Sequence, residues 1–456
     1  MKNMTLKNMQ AALGGELHSA GADQEKEVTG ISIDSRTIKK GGLFIAIKGE
    51  RVDGHTFFSE VMQKGAFAVI CEKKPTDASI PFILVEDCLK ALLQLANLYR
   101  NQLDIKIIAI TGSVGKTTTK EFIASVLSQK YKVLKTKGNH NNLVGLPLTI
   151  FDIEDTDEIA ILEMGINQFG EMEQLAKTAM PDVCVMTNIG ECHLEYLGSL
   201  EGVLEAKSKM LDYMNMDGTL ISNGDDRMLL TIPQPKAKHQ IHFGLAKEND
   251  VFAKKVVEKG LLGTECLIQG KNGEYQLHIS LPGQHMIYNA LAAVSAGELF
   301  GLNQKEIEDG ISNASSVGGR SHIIRTLKYT IIDDCYNANP VSMRAAIDLL
   351  ATASTRTVAI IGDMGELGEK AKMLHENIGE YARKKNINLL IFVGTLSKYA
   401  AEAAEKLDYI DNGKILYFSN KEQFYEKMEE VLEQNDTILV KASNAFGFCA
   451  IVEKIK

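Results

Sequence analysis

Gly112, Ser113, Val114, Gly115, Lys116 and Thr117 stand in a G-x-x-G-K-T pattern, followed by Thr118. Glycines let a backbone curl until successive N–H groups point inward at an anion, and a following helix adds the positive end of its dipole. In such a loop Lys116 would neutralise the β- and γ-phosphates of a nucleoside triphosphate and the Thr117 hydroxyl would hold Mg²⁺. The longer phosphate-loop pattern also wants a glycine at position 110, where this chain has Ile110, so an ordinary strand-to-helix turn is the competing reading. The flanks favour the phosphate loop. Lys106 to Ile110 is a β-branched apolar run of strand length, and Phe122, Ile123, Val126 and Leu127 recur at helical spacing.

Ligands of a parallel α/β sheet gather beyond the carboxyl ends of its strands, so polar residues just past a strand are the next candidates. After an expected strand ending at Thr136 come Asn139, His140, Asn141 and Asn142 among glycines, readable as a turn or as a binding loop. Ile159 to Leu162 delivers Glu163, a carboxylate suited to a hard cation such as Mg²⁺. The strand ending at Thr187 leads to His193, whose place at another tip of the same sheet favours a role over that of a satisfied structural histidine. Lys207, on an expected helix from Leu200 to Leu211, reads by composition as a solvated surface lysine; in a cleft it could instead bind phosphate, or take up CO₂ as an anionic carbamate that ligates metal. Gly318-Gly319-Arg320 offers a guanidinium for phosphate. Asp334 and the turn through Asn337 that Pro340 closes suit ribose hydroxyls or the adenine amino edge, and Gly362 to Gly368 occupies the equivalent loop one strand later. Either loop is also readable as turn chemistry.

Positioning these residues takes an α/β fold in three domains. Residues 1–104 read as a small α/β unit, with strands at Val28 to Ile33, Leu43 to Ile47, Ala66 to Cys71 and Phe82 to Val85, and helices at Phe57 to Lys64 and Cys88 to Arg100. Residues 105–314 alternate strand and helix, implying a mainly parallel sheet around the phosphate loop. Residues 250 to 281 break that rhythm as an antiparallel ribbon, before helices at Asn289 to Phe300 and Gln304 to Asn313. Residues 315–456 restart the alternation as a Rossmann-like domain, with strands at Thr330 to Asp333, Thr357 to Ile361, Leu389 to Val393, Lys414 to Phe418 and Thr437 to Val440.

The totals agree with a multidomain globular chain: 456 residues, 45% hydrophobic and 24% charged. A net charge of −9 gives no support for binding nucleic acid or an anionic membrane. Seven scattered cysteines without a C-x-x-C pair argue for free thiols in a reducing cytoplasm, against a disulfide framework or a structural zinc site. Met1 to Gly15 lacks the apolar stretch of a signal peptide and no run is long enough to span a bilayer, so a cytoplasmic protein without membrane insertion is expected. A monomer is the expected assembly state.

In order and spacing, TGSVGKTTT, TKGNHNNLVGLPLT, LEMG, NIGECHLEYLGS with AKSKM, GGR, DDCYNANP and GDMGELGE resemble the Mur ligases across nearly the whole chain. Within that family, D-x-YNANP and SIDSRTIKKGGLFIAIKGERVDGHTF are similar to the members that add D-alanyl-D-alanine to UDP-N-acetylmuramoyl-tripeptide. Sister ligases that add one amino acid, and folylpolyglutamate synthase, share the phosphate loop but differ at those two places. The resemblance implies an ATP-dependent amide ligase of peptidoglycan precursor synthesis, its first domain holding the UDP portion, its second ATP and metal, and its third closing over them with the dipeptide. It implies Gly112 to Thr118 as the ATP loop; Thr117, Glu163, His193 and a carbamylated Lys207 as the site of two Mg²⁺ ions; and Arg320 on the γ-phosphate. Asn289 and Asp334 would contact adenine and ribose, Ser35 and Arg36 the uridine, and Thr136, Asn139 and Asn142 the muramoyl region, with Asn337 also on the substrate side. Lys116, Lys207, His193 and Arg320 form the implied catalytic set.

Two departures stand out. His285-Met286 replaces the family's usual His-Asn, and Lys441-Ala442-Ser443-Asn444 replaces Lys-Gly-Ser-Arg. A short amide is a poor substitute for a guanidinium that holds an anion, which leaves an ATP-binding paralogue with impaired ligation as a further alternative. A kinase or GTPase of the phosphate-loop class is disfavoured, because no guanine-binding N/TKxD motif is visible and the third domain would be unexplained.

Overall fold

The computed structural model describes the chain apart from residues 78, 234–236, 386 and 408–412. Three sheets follow one another along it. The first runs, edge to edge, Glu16–His18, Phe82–Leu84, Ala68–Cys71, Leu43–Ile45 and Ile31–Ser32, parallel except for the first pair. The opening helix Leu6–Leu13 and the strand Glu16–His18 were not expected, because only Leu6 and Met9 of that helix are buried and its periodicity is faint. Val28, expected in a strand, is instead a core residue whose N–H donates to Met4 O (2.9 Å) and whose carbonyl receives the Met1 amine (2.8 Å).

The central sheet has nine strands in the order Glu274–Ile279, Thr264–Gln269, Val251–Glu258, His239–Gly244, Thr219–Asn223, Val183–Met186, Lys106–Thr111, Ile159–Glu163 and Val133–Lys135. The ribbon at 250 to 281 is antiparallel, as expected, and the rest is parallel. His239–Gly244 escaped the sequence reading because only Ile241 and Phe243 in it are buried hydrophobics. Strand alternation sends the two faces of Lys106–Thr111 to different neighbours. Ile107 and Ala109 belong to a buried cluster that includes Leu175 and Ala176 of helix Glu171–Ala179, whereas Ile108 and Ile110 belong to another that includes Phe122 and Ile123 of helix Lys116–Leu127. Ile110, where a first glycine was wanted, is thus a core strand residue paired with Glu163 and Val185.

The third sheet runs His322–Arg325, Thr330–Asp333, Thr437–Lys441, Thr357–Gly362, Leu389–Val393 and Lys414–Phe418. Its five expected strands are present. The sixth, His322–Arg325, is a half-buried antiparallel edge too short to show a pattern.

The two junctions between domains differ. Helix Cys88–Arg100 is fastened to the central domain by Tyr99 Oη on Ile153 O (2.8 Å), Asn97 Nδ2 on Lys177 O (2.9 Å) and Arg100 Nε on Ala179 O (3.0 Å). Between the central and third domains lies a cavity of about 510 Å³. All seven cysteines are free thiols, with the Sγ atoms of Cys335 and Cys449 2.8 Å apart. Among the described residues no helix is long and apolar enough to cross a membrane.

Candidate active site

The floor of this cavity is the phosphate loop. Strand Lys106–Thr111 ends, the chain turns through Gly112 (φ 151°) and Gly115 (φ 86°), and helix Lys116–Leu127 begins. A Cβ on Gly112 would lie 2.0 Å from Thr187 Oγ1, so only glycine lets the loop lie against that strand end. Ser113 N–H donates to Asn188 O (3.0 Å) and Val114 N–H to Asn188 Oδ1 (2.9 Å), which pins the loop's near side. Thr119 N–H is the first to bond back into the helix, to Gly115 O, so the N–H groups ahead of it have no intrahelical acceptor and form an anion site at the positive end of the dipole. Lys116 Nζ rests on Gly112 O at 2.7 Å, and burial lowers its pKa from the ordinary lysine value. An arriving triphosphate would restore the counter-charge this ammonium lacks.

Next to the loop, Glu163 is 1% exposed and fully engaged: Oε2 accepts from Thr117 Oγ1 (2.8 Å) and Oε1 from Asn141 Nδ2 (2.8 Å), with Lys120 Nζ 4.0 Å away. Its own N–H donates to Thr136 Oγ1 at 2.9 Å. A hydroxyl and a carboxylate joined in this way form an oxygen donor set of the kind Mg²⁺ shares with substrate phosphates. Among the described residues no group of three or more His, Cys, Asp or Glu could hold a metal without further ligands. Lys207 lies nearby, fully buried, with Nζ lacking any hydrogen-bond partner. Burial, with a further contribution from Lys116, brings its pKa down to about 8. An orphaned amine whose neutral form is within reach fits conversion to a carbamate, which would replace an unpaired buried cation by an anion.

The third domain supplies the opposite wall. The Arg320 guanidinium stacks 4.0 Å over the Tyr336 ring. Asp334 Oδ1 accepts from Ser321 N–H (2.9 Å), and Oδ2 from the buried Lys441 Nζ (2.6 Å), which also reaches Asn337 O (2.9 Å). His193, on the central domain, approaches Glu366 of the third domain, Nδ1 to Oε2 at 2.5 Å.

Residues 110–297 match the Mur ligase middle domain, 319–444 the Mur ligase glutamate ligase domain, and 27–100 the Mur ligase family catalytic domain. The chain is 35% identical to UDP-N-acetylmuramoyl-tripeptide–D-alanyl-D-alanine ligase of Bacillus subtilis (strain 168), over 100% of this chain and 99% of that protein. The chain belongs to the Mur ligase family. It is also 32% identical to the ligase of the same name from Escherichia coli (strain K12), over 100% and 99% of the two chains. Its fold matches MurF from Acinetobacter baumannii with a TM-score of 0.91 at 31% identity, over 99% of this chain and 98% of that one. It matches the MurF ligase of Thermotoga maritima in complex with ADP with a TM-score of 0.82 at 29% identity, over 93% and 96%. Mur ligases are ATP-dependent amide ligases, and this chain is an enzyme of that class.

In this Mur ligase, Ser113 to Lys116, Thr118, Asn142, Glu163, His193, Arg320, Asp334 and Asn337 line the cavity. Gly112 and Thr117 flank lining residues in the loop, Lys207 is buried outside the lining within electrostatic reach of Lys116, and other residues expected at the site face elsewhere. Asn289 is 5% exposed; its Oδ1 accepts from Thr119 Oγ1 (2.8 Å) and its Nδ2 meets Met286 Sδ (3.4 Å), so in this arrangement it fastens the loop helix and leaves the cavity wall to Met286. Thr136 is 1% exposed and spends its hydroxyl on the backbone of the Glu163 strand. Asn139 is exposed outside the cavity, while Asn142 Oδ1 accepts from Gly145 N–H (2.9 Å). Ser35 and Arg36 stand in the first domain, where the Arg36 guanidinium holds the Asp34 carboxyl at about 2. Asn444 is exposed and outside the cavity, so that departure does not alter its lining; the Met286 departure does. Three side chains that bond candidate site residues had no role assigned from sequence: Asn141, bonded to Glu163; Lys441, bonded to Asp334; and Glu366, bonded to His193. Each lies in a motif already singled out, and only tertiary placement distinguishes it from its neighbours.

Proposed function

We propose that this Mur ligase joins D-alanyl-D-alanine to UDP-N-acetylmuramoyl-tripeptide, converting ATP to ADP and phosphate, as a cytoplasmic monomer in peptidoglycan precursor synthesis. The supporting observation is the pairing of Lys116 and Glu163 on one side of the cavity with Arg320 and Asp334 on the other, in a chain similar end to end to ligases of that name. Residues 1–104 would hold the UDP portion, 105–314 the ATP, and 315–456 would close on ATP with the dipeptide.

A carboxylate resists attack by an amine because the leaving group would be an oxide. If a terminal carboxylate oxygen of the tripeptide attacks the γ-phosphorus, ADP leaves and an acyl phosphate forms. The amine nitrogen of D-alanyl-D-alanine then attacks the carbonyl carbon, a tetrahedral intermediate collapses, phosphate departs and the amine loses its proton. Both steps gather anions, so positioning and charge neutralisation supply most of the catalysis. Lys116 and the loop N–H groups bind the β- and γ-phosphates, Arg320 leaves Tyr336 for the γ-phosphate, and Asp334 accepts from ribose. Thr117, Glu163, His193 and carbamylated Lys207 would hold two Mg²⁺ ions, which when bound supply positive charge to the transferring phosphoryl oxygens. The test is ADP formation with UDP-muramoyl-tripeptide and D-alanyl-D-alanine supplied singly and together, and with single amino acids replacing the dipeptide. Turnover requiring both substrates is expected. Turnover with a single amino acid, or ATP binding without acceptor-dependent ADP, would contradict the proposal.

A further inference from the structure

The structure assigns Glu366 as a positioning residue for His193, and through this pair we propose that closure of the third domain is coupled to metal binding on the central floor. The inference rests on His193 being a metal ligand, as set out under the proposed function.

His193 belongs to the central domain and Glu366 to the third, so their bond exists only when the two are docked. With Nδ1 held 2.5 Å from Glu366 Oε2, a metal would have to bind through Nε2. A carboxylate on the non-ligating nitrogen fixes the tautomer and ring orientation of a ligating imidazole and raises its basicity. Here the imidazole stands in the central domain and its carboxylate partner in the third.

The loop carrying Glu366 is built to deliver it. Asp363 Oδ1 accepts from Ser397 N–H (2.7 Å), Met364 N–H donates to His375 Nε2 (3.0 Å) and Gly365 N–H to Ser443 Oγ (2.9 Å), while Met364 and Leu367 are buried. Glu366, between them, adopts a left-handed conformation (φ 59°) and is the side chain that crosses to the other domain. Backbone contact accompanies the crossing: Glu195 N–H faces Glu366 O at 3.4 Å, and a Cβ on Gly368 would lie 3.2 Å from Glu195 Cα. Binding linkage is reciprocal. If the docked state offers the better-oriented imidazole, the ion must in turn favour docking.

The test uses the full chain with a non-hydrolysable ATP analogue and Mn²⁺ as the probe. Bound Mn²⁺ is counted by electron paramagnetic resonance and domain closure is followed by small-angle X-ray scattering. His193→Ala and Glu366→Gln should each weaken the second Mn²⁺ equivalent by about 10- to 100-fold, the double variant should lose little more than either, and Glu366→Asp should recover part of the loss. Mn²⁺ should shrink the radius of gyration of the wild type but not of Glu366→Gln. Wild-type Mn²⁺ affinity in Glu366→Gln, with His193→Ala impaired, would overturn the coupling and leave only an interdomain clamp. Wild-type affinity in His193→Ala would instead remove the metal assignment on which the inference depends.

Discussion

The two domain junctions of this chain are made from different chemistry. At the first, Tyr99, Asn97 and Arg100 insert their polar ends into carbonyls of the central domain, and Arg100 also lies 3.5 Å from Asp182. At the second, the domains enclose a cavity and meet through exposed or half-buried groups such as Glu366 and His193. A junction whose buried donors depend on the partner's carbonyls loses them all if it opens, so it behaves as one body. A junction of small contacts around a hollow can open and close, as a ligase that must admit three substrates requires. Stability should therefore be concentrated at the first junction and turnover at the second.

The largest expected effect tests the second half of that statement. Lys116→Ala should lower kcat/KM for ATP by about 10²- to 10³-fold, the scale of losing one preorganised charge at a transferring phosphoryl group, with little change in melting temperature. Lys207→Ala should fall in the same range, and added bicarbonate should restore neither; wild-type rates in Lys207→Ala would remove the carbamate from the account. Arg100→Leu should do the reverse. It strips a nearly buried guanidinium from two carbonyls and Asp182 and should cost about 2 to 3 kcal/mol in denaturant unfolding, with kcat changed by less than a factor of two. Tyr336→Leu, which removes the stacking that Arg320 gives up on reaching the γ-phosphate, should lower KM for ATP several-fold, on the order of 1 kcal/mol. A smaller effect concerns pH. His375 is buried and neutral, accepts from Met364 N–H, and has its pKa lowered mainly by burial. Below the ordinary histidine value of about 6.5 the unfolded chain binds more protons than the folded one, so stability should decline as pH falls through that range. His375→Gln, which keeps an acceptor, should flatten the decline; an unchanged slope would assign it to other groups, of which the half-buried His285, its pKa also lowered, is one.

The phosphate loop was legible in sequence because its parts are contiguous: a strand, two glycines at positive φ, a lysine and a helix. Glu163 and His193 were legible because strand tips of one parallel sheet point the same way. Lys441 needed more. Its distance from Asp334 is set by the register that pairs Asp333 with Val440, which a linear reading does not supply. Glu366 needed the docking of two domains, and Asn289 turned inward because Thr119, one helix away, claims its amide oxygen. The helix Leu6–Leu13 and strand His239–Gly244 were missed for a simpler reason, since each buries only two side chains.

The claim that a triphosphate gripped near Lys116 activates a substrate carboxylate can be examined by following the oxygen. With the terminal carboxylate of the tripeptide doubly labelled with ¹⁸O, one labelled oxygen should appear in the released phosphate for each amide bond formed and the other should remain in the product. Phosphate without label, or label recovered in AMP, would contradict activation through an acyl phosphate at this site.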